Sequence, residues 1–459
     1  MTKFLTTMAL ALFALQAQPP QQPPASQQPP PGQPSEVTTT ISVEGGGAPR
    51  LAVPDFITLT TDAESVAIAR TIGQVLFDDL RYENEFQFVP RDVYNTIPKA
   101  TSFADVPFDR WRELNADGVV IGTVQKTGNS VRVEVRILNV RNHLAAFSRS
   151  YTASGANPRA FAHMAADEIF QTQRALKGVA QSKLTFASDR DGERMTGTVE
   201  SRQVKEIYIS DYDGENQRRV TVLKTLNTFP RWSPDARSIA YTSYRRGGGQ
   251  IFISNIYQGT LEELTKGPTE NWLAAWSPDG SKLCIASPRG TSHTNLYVVN
   301  RDGSGMRALT SHNSNNTTPT WSPSGTQIAF VSDRTGQPQI YTIGVDGTGF
   351  SRLSSDYSDR PTWSPAPYNE IAYSVRTGPG FDIKILELAS RTERRLTNGE
   401  GTNESPVFSP NGRHVAFTST RSGKKQIFTI ARDGRDLRQV TRIGNNEQPD
   451  WGKGQEMQR

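Results

Sequence analysis

Short runs of alternating apolar and polar residues fill the chain from Lys183 onward. They recur as one unit: Pro-x-Trp-Ser-Pro, a turn, Ile-Ala-Phe, a second turn, Ile-Tyr, an Asp-Gly turn and Arg-Leu-Thr. The aromatic residue that marks the unit recurs every 42–45 residues, at Trp232, Trp276, Trp321, Trp363, Phe408 and Trp451. A period of this length with four short strands in each unit predicts a β-propeller with one blade per unit.

The first unit and the end of the chain complement each other. Leu184–Phe186, Ile207–Ile209 and Arg219–Thr221 supply three strands without a Trp-Ser-Pro strand, and Pro449–Trp451 supplies only that strand. Five complete units and one shared blade therefore predict an all-β six-bladed propeller over 182–452, closed by the C-terminal strand and followed by a tail at 453–459. Closure removes the open sheet edges of a linear array.

The loops that lead into the Pro-x-Trp strands form a candidate protein-binding rim. First strands line the channel of a propeller, so the residues just before them meet at one mouth. Phe229 and Trp272 are the large apolar members of this otherwise polar and somewhat acidic set, and aromatic anchors in a polar surround are typical of interfaces. The predicted rim residues are Phe229, Glu270, Asn271, Trp272, Leu273, Asn316, Thr317, Thr318, Asp359, Arg360 and Glu404. Composition alone also allows ordinary exposed loops.

Residues 49–178 follow a different pattern, in which strand-like runs alternate with apolar residues at helical spacing. Thr61 and Glu64 match a capping box before the first helical stretch. Asn157-Pro158 is typical of a second helix start, and Gly178 is the expected end of that helix. The pattern predicts an α/β domain with its own core.

The first 35 residues carry a predicted export signal and a spacer. Residues 1–17 combine Lys3 with a short apolar stretch and a tolerable cleavage site, which predicts a secretory signal too short to stay as a membrane span. Residues 18–35 are almost entirely Gln and Pro and are predicted to be an extended spacer. We expect the mature protein to be exported and soluble.

Residues 36–48 form a β-prone, barely charged segment that ends in a glycine hinge. Its simplest interpretation is an edge strand of the following domain. The alternative is a detachable strand that pairs with a partner, because unpaired strand edges recruit other chains. The segment consists of Glu36, Val37, Thr38, Thr39, Thr40, Ile41, Ser42 and Val43.

Charge and motif content argue against nucleic-acid binding and catalysis. The net charge is only +5, and basic residues interleave with acidic ones. The single cysteine, Cys284, is interpreted as a buried core residue. The chain has no Gly-x-Ser-x-Gly motif and no histidines at zinc spacing. Asp211–Gly214 resembles the start of a calcium loop but is explained by its turn position. We therefore predict no cofactor and no metal.

The chain after the spacer resembles the TolB family, periplasmic components of the Tol-Pal system of Gram-negative envelopes. Besides the repeats, the resemblance rests on residues 53–56, 79–81, 117–122, 166–170, 210–217 and 314–317. It implies an adaptor rather than an enzyme. The propeller is expected to bind Pal, the peptidoglycan-associated lipoprotein, and the N-terminal segment to bind TolA.

The same resemblance implies a role in outer-membrane integrity and constriction during cell division. Glu270, Leu273, Thr317 and Thr318 fall at positions that match the family's lipoprotein-contacting rim. Other outer-membrane or peptidoglycan-associated proteins are further candidate partners. Two alternatives remain: a propeller enzyme of the lyase or peptidase type, and a periplasmic ligand-binding sensor.

Overall fold

A computed structural model of the chain describes residues 39–41, 46–194 and 203–454. The predicted signal, the spacer, Glu36, Val37, Thr38, Ser42 and Val43 lie outside the described residues. The chain forms an N-terminal α/β domain followed by a six-bladed β-propeller, as predicted. No helix in the described ranges is long and apolar enough to cross a membrane.

The N-terminal domain is a mixed sheet with helices packed against it. The strands are β1 (Arg50–Ala52), β2 (Ile57–Thr58), β3 (Gln87–Phe88), β4 (Gly118–Thr127), β5 (Ser130–Asn139) and β6 (Ala145–Ser154). The helices are α1 (Ala63–Tyr82), α2 (Phe108–Glu113) and α3 (Pro158–Arg174), with two short 3-10 helices at Arg91–Thr96 and Phe103–Asp105. The sheet order is β3-β1-β4-β5-β6; β2 pairs with β4. Apolar faces of α1 and α3 contribute to one buried core with β4 and β5.

Both predicted helix boundaries need correction. The N-cap of α1 is Asp62, not Thr61: its Oδ1 accepts a hydrogen bond from the Ser65 amide at 2.9 Å. Helix α3 ends at Ala175, which adopts a left-handed conformation with φ 52°, and not at Gly178. Gly178 is needed for another reason, because a Cβ there would collide with the Asp167 carboxylate.

The propeller consists of six four-stranded antiparallel sheets. Blade 6 begins with β7 (Lys183–Ser188), β8 (Glu206–Asp211) and β9 (Arg218–Arg219). Blade 1 is β10 (Asn227–Trp232), β11 (Ser238–Ser243), β12 (Gln250–Asn255) and β13 (Thr260–Glu263), and blade 2 is β14 (Trp272–Trp276), β15 (Lys282–Ser287), β16 (Asn295–Asn300) and β17 (Arg307–Ala308). Blade 3 is β18 (Asn316–Trp321), β19 (Gln327–Ser332), β20 (Gln339–Gly344) and β21 (Ser351–Arg352). Blade 4 is β22 (Ser358–Trp363), β23 (Glu370–Thr377), β24 (Gly380–Glu387) and β25 (Glu393–Arg395). Blade 5 is β26 (Asn403–Phe408), β27 (His414–Ser419), β28 (Gln426–Ala431) and β29 (Arg438–Gln439), and β30 (Asn446–Gly452) completes blade 6.

The C-terminal strand closes the ring, which confirms the prediction. Strand β30 pairs antiparallel with β7, with Trp451 opposite Leu184. Neighbouring blades are also joined through their indoles. The Trp276 Nε1 donates to the Arg231 carbonyl at 3.1 Å, and the Trp321 Nε1 donates to the Ala275 carbonyl at 3.0 Å. Each of these indoles therefore fills the space between two sheets and satisfies its polar atom there.

The N-terminal domain packs on blades 5 and 6, on the face that carries the Ser-Pro turns. The imidazole of His414 stacks on Tyr82 with ring centroids 4.1 Å apart. Asn411 donates to Glu83 Oε1 at 3.1 Å, and the Tyr212 hydroxyl donates to Asp79 Oδ1 at 2.7 Å. These contacts leave the predicted rim on the opposite face of the propeller, which we call the rim face.

Candidate protein interface at the propeller mouth

Each inner strand of the propeller carries a β-bulge where it begins at the rim face. In all six, one non-glycine residue adopts a left-handed conformation with φ between 47° and 60°: Phe229, Leu273, Thr318, Arg360, Ser405 and Gln448. Such a conformation costs on the order of 1–3 kcal/mol in a non-glycine residue. Its repetition around the ring indicates a built-in feature, since bulges redirect side chains.

The sequence and the neighbouring side chains explain why these bulges form. In five of the six strands the next residue is a proline, which has no amide hydrogen to lose from the ladder. Side-chain oxygens accept hydrogen bonds from the displaced amides instead. Phe229 donates to Gln448 Oε1 at 2.8 Å, and Leu273 donates to Thr242 Oγ1 at 3.2 Å.

Four predicted rim residues meet at the mouth of the central channel. Phe229, Leu273, Thr318 and Arg360 line one cavity of about 10 Å³, which has room for about one water molecule. The Arg360 guanidinium lies 4.4 Å from the centre of the Phe229 ring, within range of a cation–π interaction. The centre of the mouth is therefore filled by side chains, which suits a docking protein better than an enclosed small molecule.

Arg231 lies in the channel below this mouth. It lines both the small cavity and the wider funnel on the opposite face, and its Nη1 lies 3.4 Å from Asp450 Oδ1. Asp450 Oδ2 also accepts a hydrogen bond from the Trp232 amide at 2.7 Å. Burial lowers the pKa of Arg231 and raises the pKa of Asp450. Arg231 therefore lies where the small cavity and the funnel adjoin, and Asp450 holds its guanidinium group there.

Trp272 and Glu270 lie against a glycine loop that sequence reasoning missed. A Cβ at Gly249 would collide with the Trp272 indole, so only glycine lets the ring approach the backbone. Glu270 Oε1 accepts a hydrogen bond from the Gly249 amide at 3.4 Å. The three consecutive glycines at 247–249 were the sequence signal that could have revealed this loop. Trp272 is half-buried against the loop at the rim, so part of its ring stays exposed to a partner.

Two predicted rim residues are not on the surface. Asn271 and Asn316 are 0 % exposed, and each donates to the third strand of the preceding blade. Their Nδ2 atoms reach Gln250 Oε1 at 3.0 Å and Asn295 Oδ1 at 3.1 Å. Asn227, Asn403 and Asn446 make the same kind of bond. These asparagines join the blades, and the remaining nine predicted residues are half-buried at the rim face.

Arginines from three blades lie beside the predicted rim. Arg190, Arg334 and Arg421 donate to Asn446, Asn316 and Asn403 at 2.7, 3.1 and 3.0 Å. They belong to loops between second and third strands, which reach the same face. Sequence reasoning considered only the loops before the first strands and so missed them.

Two lysines from the same loops partly neutralise the rim's negative charge, as their contact with Glu447 shows. Burial alone would raise its pKa, but the ammonium groups of Lys205 and Lys425 outweigh burial and lower it. Lys425 Nζ lies 2.8 Å from Glu447 Oε2. The rim is therefore less acidic than its first-strand loops alone suggest.

The described part of the N-terminal segment is docked on the N-terminal domain and is not in a regular strand. The Thr39 amide donates to the Ala146 carbonyl at 2.9 Å, and the Ile41 amide donates to Gln173 Oε1 at 3.1 Å. Ile41 is 7 % exposed. Gly118 makes room for it, since a Cβ there would lie 2.5 Å from Ile41 Cδ1. One isoleucine and a few hydrogen bonds hold this stretch.

The turn that resembles a calcium loop has a further role that the sequence did not indicate. Asp211 and Tyr212 contact the N-terminal domain: Asp211 Oδ2 lies 3.5 Å from His163 Nε2, and Tyr212 donates to Asp79. Within residues 39–41, 46–194 and 203–454, no group of three or more His, Cys, Asp or Glu side chains is placed to hold a metal ion.

Comparisons with known proteins identify the family. The TolB amino-terminal domain matches residues 38–144, and the TolB β-propeller domain matches residues 174–455. The Tol-Pal system protein TolB of Francisella tularensis subsp. mediasiatica is 30 % identical over 414 residues, covering 86 % of this chain and 91 % of that protein. TolB of F. tularensis subsp. tularensis is 28 % identical over 414 residues, covering 86 % and 90 %.

A solved structure shows the same architecture. The crystal structure of TolB from Acinetobacter baumannii superposes with a TM-score of 0.73 at 20 % identity, covering 91 % of this chain and 98 % of that one. At this identity the superposition supports the fold. Together with the two domain matches and the Francisella relatives, it leads to one assignment: this chain belongs to the TolB family of the Tol-Pal system.

Proposed function

We propose that this protein is a non-enzymatic periplasmic adaptor of the Tol-Pal system. In this proposal its rim face binds the lipoprotein Pal and its N-terminal segment binds TolA. Joining an outer-membrane lipoprotein to an inner-membrane partner supports outer-membrane integrity and the inward movement of the envelope during division. The observation that carries the proposal is the bulge that recurs in all six inner strands, together with a mouth whose centre is filled by Phe229, Leu273, Thr318 and Arg360.

The rim has the composition of a protein interface. Trp272 and Phe229 offer aromatic anchors, and the threonines and acids around them can form hydrogen bonds with a partner. Their support is rigid, because Trp272 rests on Gly249 and Phe229 is held by Arg360 and Gln448. A rigid anchor loses little conformational entropy on binding, which favours affinity.

The Pal surface can be tested with single substitutions on the two faces of the propeller. Thr317→Arg should weaken Pal binding by about 2 kcal/mol or more, because it places a long charged side chain in the contact. Trp272→Ala should weaken Pal binding by a similar free energy, because it removes an aromatic anchor. Thr326→Arg adds the same side chain at an exposed residue of the Ser-Pro turn and is the matched control.

Isothermal titration of Pal, with circular dichroism as the folding control, gives the readout. Wild-type affinity in both rim variants, or equal weakening in Thr326→Arg, would show that Pal does not bind this face.

The N-terminal segment has the features of an exchangeable peptide. Fully burying an isoleucine side chain contributes about 1.5–3 kcal/mol, so the Ile41 anchor is modest. A partner that offers a sheet edge can replace the few hydrogen bonds of Thr39 and Ile41 with a strand ladder. This supports TolA binding by the released segment.

Deleting residues 36–43 should abolish TolA binding and leave Pal binding within about twofold. Deleting residues 18–34, the Gln/Pro-rich stretch, removes a longer piece of chain and should preserve TolA binding. The segment would be excluded as the TolA site if TolA bound equally with and without it.

A further inference from the structure

A large polar cleft lies between the end of α1 and blades 4 and 5, on the face opposite the rim. Its volume is about 600 Å³, within the range of ligand sites. Five arginines line it: Arg394, Arg395, Arg413, Arg432 and Arg435. The N-terminal domain contributes Glu83, Asn84 and Glu85 to its wall. We call it the arginine cleft.

The positive charge of the arginine cleft is only partly neutralised. Arg394 and Arg432 share one carboxylate oxygen, Glu370 Oε1, at 3.3 and 2.6 Å. Arg435 pairs with the exposed Asp433 at 2.6 Å, where water competes for both groups. Arg395 is exposed and forms no ion pair within the described ranges.

The remaining arginine belongs to the domain interface. Arg413 donates to the Glu83 carbonyl at 2.9 Å and pairs with the carboxylates of Glu83 and Glu85. Burial raises the pKa of Glu83 to about 8, so this group is largely protonated at neutral pH. Arg413 is thus held by Glu83 and Glu85, and the other four guanidinium groups of the cleft face two carboxylates, those of Glu370 and Asp433.

Blade 4 departs from the other repeats where it meets this cleft. In blades 1, 2, 3 and 5 the serine amide of the Ser-Pro turn donates to a carbonyl five residues later, as from Ser409 to His414. In blade 4 the Ser364 amide donates to Glu370, six residues later, and the longer turn carries Tyr368. The Arg432 guanidinium lies 4.1 Å from the centre of the Tyr368 ring.

Tyr368 is a fixed wall of the cleft. A Cβ at Gly412 would lie 2.5 Å from Tyr368 Cδ2, so the ring packs directly on that backbone. With its ring against one side of Arg432 and Glu370 bound to Nη1, the guanidinium has a defined orientation. Oriented guanidinium groups suit bidentate recognition of tetrahedral oxyanions.

We propose that the arginine cleft binds a phosphate-bearing ligand. Arg394, Arg395, Arg432 and Arg435 contact the phosphate oxygens, and Tyr368 forms the wall beside it. Phosphate oxygens accept strong, charge-assisted hydrogen bonds from guanidinium groups, and this holds for a phosphate ester as well as for free phosphate. The same chemistry exists in free phosphates and in phospholipid headgroups. This site is separate from the proposed Pal and TolA surfaces.

Binding of inorganic pyrophosphate to the full mature chain, followed by calorimetry, tests the site for a free source. Sedimentation with phosphatidylcholine vesicles, with and without phosphatidylglycerol, tests a headgroup source. We expect saturable binding in at least one arm, and pyrophosphate binding at least fivefold tighter than succinate if the source is free. The variant Arg395→Gln/Arg435→Gln should weaken binding at least tenfold while its melting temperature stays within 2 °C, since both side chains are exposed.

The matched control is Arg245→Gln/Arg246→Gln, which removes the same charge from another blade and should change binding by less than twofold. No saturable binding in either arm would overturn the proposal. An equal loss of affinity in both double variants would also overturn it, because the anion would then be attracted by the net charge of the protein and not by this cleft. Succinate binding as tight as pyrophosphate would reject phosphate as the ligand class.

Discussion

The two faces of the propeller are built from the same repeat but are used differently. On the Ser-Pro face, blades 5 and 6 are covered by the N-terminal domain through stacked rings and buried polar pairs, such as His414 on Tyr82 and Tyr212 with Asp79. On the rim face, bulged residues such as Phe229 and Thr318 surround a filled mouth and stay half-buried. The face that is covered by a domain of the same chain thus buries its aromatic and charged side chains. The face proposed to bind a separate protein keeps part of its polar and aromatic surface accessible.

Opening the ring should have the largest effect, because both faces depend on closure. Truncation after residue 444 removes β30 and Trp451. Loss of a core tryptophan alone costs about 3–5 kcal/mol, and β7 is left with an open edge. We expect the melting temperature to fall by more than 10 °C in a thermal scan. Truncation after Gly454 removes only the last five residues and is the control. An unchanged melting temperature in the longer truncation would contradict closure by β30.

The free energy of unfolding should fall at alkaline pH, because His163 then loses its proton at the contact between the N-terminal domain and the Ser-Pro face. This buried imidazole lies 2.8 Å from Asp79 Oδ2 and 3.5 Å from Asp211 Oδ2, with Tyr212, Lys183 and Arg159 around the same carboxylates. Burial opposes its protonation, but the two carboxylates outweigh burial and raise its pKa to about 10. Because the folded pKa exceeds the unfolded one, the contribution is complete below about pH 6.5 and disappears as pH rises through about 10.

Urea unfolding at pH 7 and pH 9 measures this contribution. His163 should account for a loss of about 2 kcal/mol in the wild type over that interval, and His163→Gln should be less stable at pH 7 with a flatter dependence. The dependence that remains in the variant comes from Glu83, whose pKa is raised by burial to about 8 and lies in the same interval. His312→Gln, at an exposed histidine, is the control and should keep the wild-type slope. A His163→Gln variant with an unchanged slope would show that another group titrates.

The smallest expected effect concerns the glycine loop on the rim face. Gly249→Ala should move the Trp272 indole and weaken Pal binding by about 1 kcal/mol, since it displaces an anchor without removing it. Gly248→Ala is the matched neighbour: its added Cβ would meet only the flexible end of Glu270, at 3.0 Å. Competition binding against labelled Pal resolves a difference of this size. Equal affinities for the two variants would mean that Trp272 does not anchor Pal.

The sequence predicted the propeller well because the repeat is local and periodic. Five complete units, an incomplete first unit and a single final strand determine the closure at Trp451, and no long-range information is needed. Helix ends were predicted less well, since Asp62 and Thr61 are both good caps and only the backbone geometry decides between them. Burial of Asn271 was also hidden, because its partner Gln250 belongs to another repeat.

The contacts between the domains could not have been predicted from local patterns. Asn411 and Glu83 are separated by 328 residues, and Tyr212 and Asp79 by 133. The position of the Asp211–Gly214 turn in the repeat explained it fully, although the side chains of Asp211, Tyr212 and Asp213 contact the other domain.

The rim positions could be placed on one face because they precede a recognisable strand. The basic residues beside them also recur, as an arginine two residues before a glycine in the loop between the second and third strands, at Arg190, Arg334 and Arg421. That repeat was not used, because the prediction considered only the loops before the first strands.

Amide hydrogen exchange of the protein with and without saturating Pal reports on both faces of the propeller in one experiment. If Pal binds the rim face, exchange slows at the amides that lead into the inner strands, including those of Thr228, Trp272, Thr317 and Asp359. Exchange at the Ser-Pro turns around Ala236, Gly280 and Gly325 stays unchanged. Protection at those turns with no change at the rim would contradict the assignment of Pal to the rim face.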